Sequence, residues 1–161
     1  LDYYSPEVLE GILLRSSTIL DVDISPSAAH EIAKRSRGTP RIANHLLRWV
    51  RDYAQMRADK EAINEAVVDK ALNMLAIDGR GLDEMDKKIL GVIIDHYNGG
   101  PVGLKTIAVA VGEESATIEE VYEPYLILQG FLQRTPKGRK ATDLAYKHLN
   151  KALPYGQPEL F

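Results

Sequence analysis

The chain has 161 residues, 45% hydrophobic and 27% charged, with no cysteine and a formal net charge of −3. That length supports one moderate core or two small ones, and the absence of cysteine excludes a disulfide scaffold or a thiolate zinc site. No apolar run reaches the roughly 18 residues of a membrane span and no signal-peptide pattern opens the chain, so a soluble cytoplasmic protein with no membrane partner is expected.

The opening Leu1-Asp2-Tyr3-Tyr4 has no initiator methionine and reads as the end of something longer, so a fragment is expected. Ser5-Pro6-Glu7 then starts a helix that turns Leu9, Ile12, Leu13, Ser16 and Ile19 or Leu20 to one face. After a connector over Asp21 to Ile24, Ser25-Pro26 starts a second helix burying Ala29, Ile32 and Ala33, closed by Gly38 in a left-handed exit. A third runs from Pro40 to about Met56 with Ala43, Leu46, Leu47, Val50 and Ala54 inward. A fourth, from about Asn64 to Leu75, buries Val67 or Val68, Ala71, Leu72 and Leu75. Four amphipathic helices with short connections predict a small bundle. Ile77-Asp78-Gly79-Arg80-Gly81 then breaks the period and marks a flexible, polar domain boundary.

In the second half Asp83 is expected to cap a helix carrying Met85, Ile89, Val92, Ile93 and Tyr97, stopped by Asn98-Gly99-Gly100-Pro101. Val102 is extended, Leu104 to Val111 is helical and ends at Gly112, and Ser115 to about Gln129 forms the next helix. That helix places Ile118, Val121, Tyr122, Tyr125 and Leu126 inward and kinks at Pro124. Phe131 to Pro136 and Lys140 to Thr142 read as two strands around a tip of Pro136, Lys137, Gly138 and Arg139. A last helix covers about Asp143 to Lys151, before a flexible tail over 153–161. Three helices followed by a basic hairpin are the order of a winged helix-turn-helix.

The total charge opposes nucleic-acid binding, but its distribution does not. Lys34 to Arg57 holds seven Lys or Arg against Asp52 alone, and Arg134 to Lys151 holds six against Asp143 alone. Arg41 sits beside the partly positive amino end of the third bundle helix, after the potential cap Thr39 and the first-turn Pro40, at a cost of about 0.3 to 1 kcal/mol. A phosphate there would offset the cost, since backbone N–H groups and a guanidinium would converge on it; a solvated arginine is the plainer alternative. In the second half the third helix carries Glu119, Glu120 and Glu123 with no Lys or Arg, which reads as a solvated acidic face unsuited to a phosphate-lined groove. The hairpin instead carries Arg134, Lys137, Arg139 and Lys140. Gripping the backbone with the wing, without reading bases, is therefore expected; a charged edge hairpin that merely resists aggregation is the alternative.

Gly99-Gly100-Pro101-Val102-Gly103-Leu104-Lys105-Thr106 imitates a phosphate loop, but Leu104 separates glycine from lysine and the stretch follows a helix, so a turn is expected. His30, His45, His96 and His148 show no metal-ligand spacing. No catalytic constellation and no metal site are expected within the chain.

Arg37 to Asn44 (RGTPRIAN), Gly99 to Leu104 (GGPVGL), Tyr122 to Ile127 (YEPYLI) and Gln129 to Arg139 (QGFLQRTPKGR) resemble the C-terminal part of the RuvB family, the bacterial ATP-driven motors of Holliday-junction branch migration. The resemblance covers nearly the whole chain. It implies a mainly α protein in which residues 1–4 end the large AAA+ ATPase domain, the stretch to residue 78 is the four-helix small (lid) domain, and 79–152 is a winged-helix head with a two-stranded β wing. It places Arg41 as a sensor-2 arginine and Tyr4 and Pro40 beside nucleotide, with ATP or ADP and Mg held mainly by an upstream segment that carries the phosphate loop. Arg134, Lys137 and Arg139 would contact DNA. The implied partners are duplex DNA and Holliday junctions, the junction-binding protein RuvA and a hexameric ring, within recombination, DNA repair and the SOS response. The fragment alone would be inactive. Ser115 and Trp49 stand where the family usually has arginines, so contact at Ser115 is in doubt. Two alternatives are the lid and winged helix of an origin-recognition AAA+ initiator, and a winged-helix transcriptional regulator.

Overall fold

The computed structural model describes residues 3–57 and 62–154. They fall in two compact units, Leu1–Asp83 and Glu84–Phe161. Of the opening four residues, Tyr3 and Tyr4 are described; of the expected tail, only 153 and 154 are.

The first unit is a bundle of α1 (Pro6–Ile19), α2 (Pro26–Lys34), α3 (Pro40–Gln55) and α4 (Glu65–Asn73). Three of the four starts are fixed by local chemistry. Ser5 accepts from the Val8 N–H, Ser25 from Ala28 and Asn64 from Val67, each satisfying a donor the helix cannot use. The apolar stripes then meet: Leu9, Leu13, Ala29, Ile32, Ala43, Leu47, Val50, Val68 and Leu72 are buried in one core. Polar ties set the packing. Ser16 Oγ donates to Asn44 Oδ1 at 2.8 Å between α1 and α3, and Trp49 Nε1 donates to the Ala71 carbonyl at 2.7 Å between α3 and α4. A parallel bridge joins Ile24 to Ile63, so the connector after α1 and the entry to α4 run side by side.

One open alternative is resolved and three local expectations change. Of Ile19 and Leu20 it is Leu20 that packs inward, with Ile19 78% exposed, because α1 ends there and the chain turns through Asp21 at positive φ. The second helix stops at Lys34, and a turn with both Arg37 and Gly38 left-handed separates it from α3. Thr39 occupies the cap position of α3, but its hydroxyl donates to the Arg37 carbonyl rather than capping. The Ile77–Gly81 link is a tied turn. The Asp78 carboxylate accepts from Arg80 and Leu82 N–H groups at 2.9 and 3.0 Å, and Arg37 Nη1 donates to the Gly81 carbonyl at 3.2 Å.

In the second unit α5 (Glu84–Tyr97) begins directly after Asp83 and turns Ile89, Leu90, Ile93 and Ile94 inward. Ile89 and Ile93 are buried as expected, but the stripe is completed by Leu90 and Ile94, leaving Met85 and Val92 half-buried and Tyr97 41% exposed. α6 (Leu104–Val111) ends on Gly112 at φ 74°. The expected single helix is three pieces: α7 (Ser115–Thr117), a π turn (Ile118–Tyr122) and α8 (Glu123–Leu128). In the π turn the Glu123 N–H donates to the Ile118 carbonyl five residues back. Pro124 follows and brings no N–H of its own, so the ordinary ladder cannot resume across it. The extra residue shifts the phase, leaving Val121 56% exposed and burying Glu123 completely.

The hairpin pairs β1 (Leu132–Thr135) with β2 (Gly138–Ala141), in the register Leu132↔Ala141, Gln133↔Lys140, Arg134↔Arg139, Thr135↔Gly138. Gly138 and Arg139 are therefore strand residues rather than tip residues; Pro136 and Lys137 alone make the turn. Val102 forms an antiparallel bridge to Arg139, with N–H···O distances of 2.9 and 2.7 Å, and so adds a bridge-length strand beside β2. α9 (Asp143–His148), capped by Thr142, closes the unit three residues earlier than expected. Its His148 ring lies 5.1 Å from that of buried Phe131.

Candidate functional site

Residues directly opposite in an antiparallel pair share a face. Leu132 and Ala141 are buried, so Arg134 and Arg139, the next pair but one, lie on the hairpin's inner face. There both meet Glu123. Arg139 Nε donates to Glu123 Oε2 at 2.8 Å and its Nη2 to Oε1 at 3.1 Å; Arg134 Nε donates to Oε1 at 2.9 Å, and its Nη2 also bonds Oε1. The carboxylate side chain is fully buried, Arg139 is 15% exposed and Arg134 is 52% exposed.

The electrostatics follow from that trio. Burial alone would push the Glu123 carboxyl up, but hydrogen bonds from Arg139 and Arg134, and their charges, together outweigh it and hold it below the ordinary glutamate value. The hydrogen bond to Glu123 raises Arg139, against the opposing effect of burial, with further support from the charges of Glu123 and Glu119. The reading of Glu123 as part of a solvated acidic face is corrected here: it is the counter-ion of the wing. Glu119 and Glu120 do remain exposed. Lys137 at the turn and Lys140 on the outer face are exposed as well. Four cations set against one buried carboxylate leave the hairpin strongly positive.

In the first unit Arg41 is exposed in the first turn of α3, a turn with no acidic residue and no side-chain cap. Tyr4 and this turn are brought together through Gly38, whose carbonyl accepts the Tyr4 N–H at 2.8 Å; Pro40 lies two residues on. A Cβ on Gly38 would sit 2.9 Å from Tyr3 Cβ and Cδ1, so the glycine makes room for the Tyr3 ring. Uncapped N–H groups and an exposed guanidinium, with no acid in that turn, form a donor set that fits a phosphate. Ser115 is half-buried at the start of α7.

Two participants escaped the sequence reading. One is Glu123; its signal was the like-charge pair Arg134↔Arg139, which needs an acid once the two-residue turn fixes the register. The other is Val102, whose backbone holds Arg139 from the opposite side.

A family model described as the RuvB AAA lid domain matches residues 4–78, and one described as the RuvB C-terminal winged helix domain matches 79–150. The chain is 63% identical over 149 residues to "Holliday junction branch migration complex subunit RuvB" of Protochlamydia amoebophila, covering 92% of this chain and 45% of that protein. It is 54% identical over 160 residues to the protein of the same name from Salinibacter ruber, covering 99% and 46%. The solved Thermotoga maritima RuvB Holliday junction branch migration motor superposes with a TM-score of 0.92 at 50% identity, over 96% of this chain and 51% of that one. The chain thus spans about half the length of the relatives it matches. These likenesses favour neither the initiator nor the regulator alternative. No helix among the described residues is long and apolar enough to cross a membrane.

Proposed function

The chain belongs to the RuvB family, matched over both its lid and its winged-helix unit, and from that premise we propose that it is the nucleotide-sensing and DNA-gripping part of an ATP-driven branch-migration motor. The observation that carries the reading is the pairing of an exposed arginine on an uncapped helix start in one unit with a cationic hairpin in the other. Arg41 reaches the phosphates of a nucleotide held mainly by an upstream ATPase segment, with Tyr4 and Pro40 alongside. Bound ATP with Mg supplies the free energy of phosphoryl transfer to water. Arg41 and the first turn of α3 favour the more anionic state, so turnover biases the angle between the upstream domain and the bundle.

Arg134 and Lys137 hold the duplex backbone, and Arg139 supports the wing beneath them. Such a grip ignores sequence, as a machine that moves over any sequence requires. In the whole protein this serves Holliday junctions in the cytoplasm together with a RuvA-type partner, six subunits encircling the duplex; the chain by itself turns over no ATP. Replacing Arg41 by Ala in the full-length protein tests the sensor role: ATP turnover should fall about a hundredfold or more, the range for losing one preorganised charge at a reacting centre. Unchanged turnover with an intact melting curve rejects it.

A further inference from the structure

We propose that Glu123 is a positioning residue for DNA contact: the buried carboxylate holds one edge of the Arg134 guanidinium so that the other edge faces a backbone phosphate. This rests on the reading that the wing grips duplex DNA.

Three observations carry it. Glu123 takes Nε–H and one N–H of Nη2 from Arg134, the side edge of the guanidinium, leaving Nη1 and the second N–H of Nη2, the end edge, unengaged among the described residues. That end edge is able to bind a phosphate in bidentate fashion. Arg134 is half exposed while the carboxylate that holds it is wholly buried, so the charge is fixed at its root and open at its end. Arg139 satisfies the other side of the same carboxylate, 15% exposed and tied by its backbone to Val102. Arg139 therefore keeps Glu123 charged and in place when Arg134 engages DNA. Fold stability alone gives little reason for this arrangement, because a well-packed apolar trio can equal or exceed a buried ion network in stability.

The proposal makes a prediction opposite in sign to simple charge counting. Glu123→Gln makes the wing one charge more positive, so counting charges predicts tighter binding. The positioning role predicts weaker binding. In the full-length protein, affinity for a non-specific duplex is measured against salt for Glu123→Gln, Arg134→Ala and the double variant. Glu123→Gln should bind more weakly and lower the log–log salt slope by about 0.9, one lost phosphate contact, as Arg134→Ala does. In the Arg134→Ala background it should cause no further loss. Tighter binding or an unchanged slope for Glu123→Gln, with Arg134→Ala still weakened, overturns the positioning role and leaves the wing reading standing. If Arg134→Ala changes neither affinity nor slope, the wing reading itself fails. Arg134→Lys covers the case in which Glu123→Gln does not fold: it keeps the charge, but its ammonium is drawn to Glu123 and has no second edge. It should behave as Arg134→Ala, and wild-type binding by Arg134→Lys overturns the proposal.

Discussion

Gly138→Ala should destabilise the second unit selectively. Gly138 sits at φ 132°, where an L side chain is strained, and a Cβ there would lie 2.5 Å from the Val102 carbonyl oxygen and 2.6 Å from its carbon. Those are backbone atoms of the segment bridged to Arg139, so relief requires Val102 to move away. Movement breaks the two N–H···O bonds between Val102 and Arg139, at 2.7 and 2.9 Å. The conformation costs about 1 to 3 kcal/mol and each bond about 0.5 to 1.5, together roughly 2 to 6 kcal/mol. For a domain of this size even the lower figure lowers the midpoint by about 8 to 16 °C.

The chain's single tryptophan, Trp49, lies in the first unit and reports that unit alone by fluorescence, whereas far-UV circular dichroism sees both. In the variant the dichroism transition should gain an early phase while the fluorescence midpoint stays in place. Gly79→Ala is the control. Nothing lies within 4 Å of a Cβ there, so its effect should stay within about 0.5 kcal/mol. If Gly138→Ala melts like the Gly79 variant, Val102 does not constrain the wing and the steric reasoning fails.

The two arginines on Glu123 should differ in stability effect. Arg139→Ala leaves a buried carboxylate with only a half-exposed partner and should cost about 3 kcal/mol by urea denaturation. Arg134→Ala, whose side chain is 52% exposed and largely screened, should cost under about 1 kcal/mol; equal losses would contradict the anchor-and-contact division. Because the Glu123 pKa is lower folded than unfolded, its stabilising contribution is complete above the ordinary glutamate value and disappears as pH falls through the folded one. Unfolding free energy followed from about pH 5 to 3 should therefore drop more steeply in the parent than in Glu123→Gln, and parallel curves would count against the ion network.

The helices were largely legible because their starts are chemical. Ser5-Pro6, Ser25-Pro26 and Asn64 announce caps, and the stripe Ala43, Leu46, Leu47, Val50 has an unbroken helical period. What periodicity could not carry was a change of phase. The π turn at Ile118–Tyr122 inserts a residue, so extrapolating from Ile118 puts Val121 inside and Glu123 outside, the reverse of what folds. The hairpin failed for a related reason. Assigning Gly138 and Arg139 to the tip hid the register, and with it the apposition of two arginines that called for an acid. Arg41 stood out in the sequence because it departs from dipole preference at a helix start, whereas Glu123 looked ordinary among acidic neighbours until its surroundings were known.

The seat of Tyr3 and Tyr4 on Gly38 has a mechanical consequence. The Tyr4 N–H is bonded to the Gly38 carbonyl and the Tyr3 ring occupies the space a Cβ would take. Two residues beyond Gly38, α3 begins. A pull on the backbone at Tyr3 is thus delivered to the first turn of α3 through a short strut rather than along a slack tether. Widening that seat, by shrinking the Tyr3 ring, would leave play between this segment and the first turn of α3 that carries Arg41.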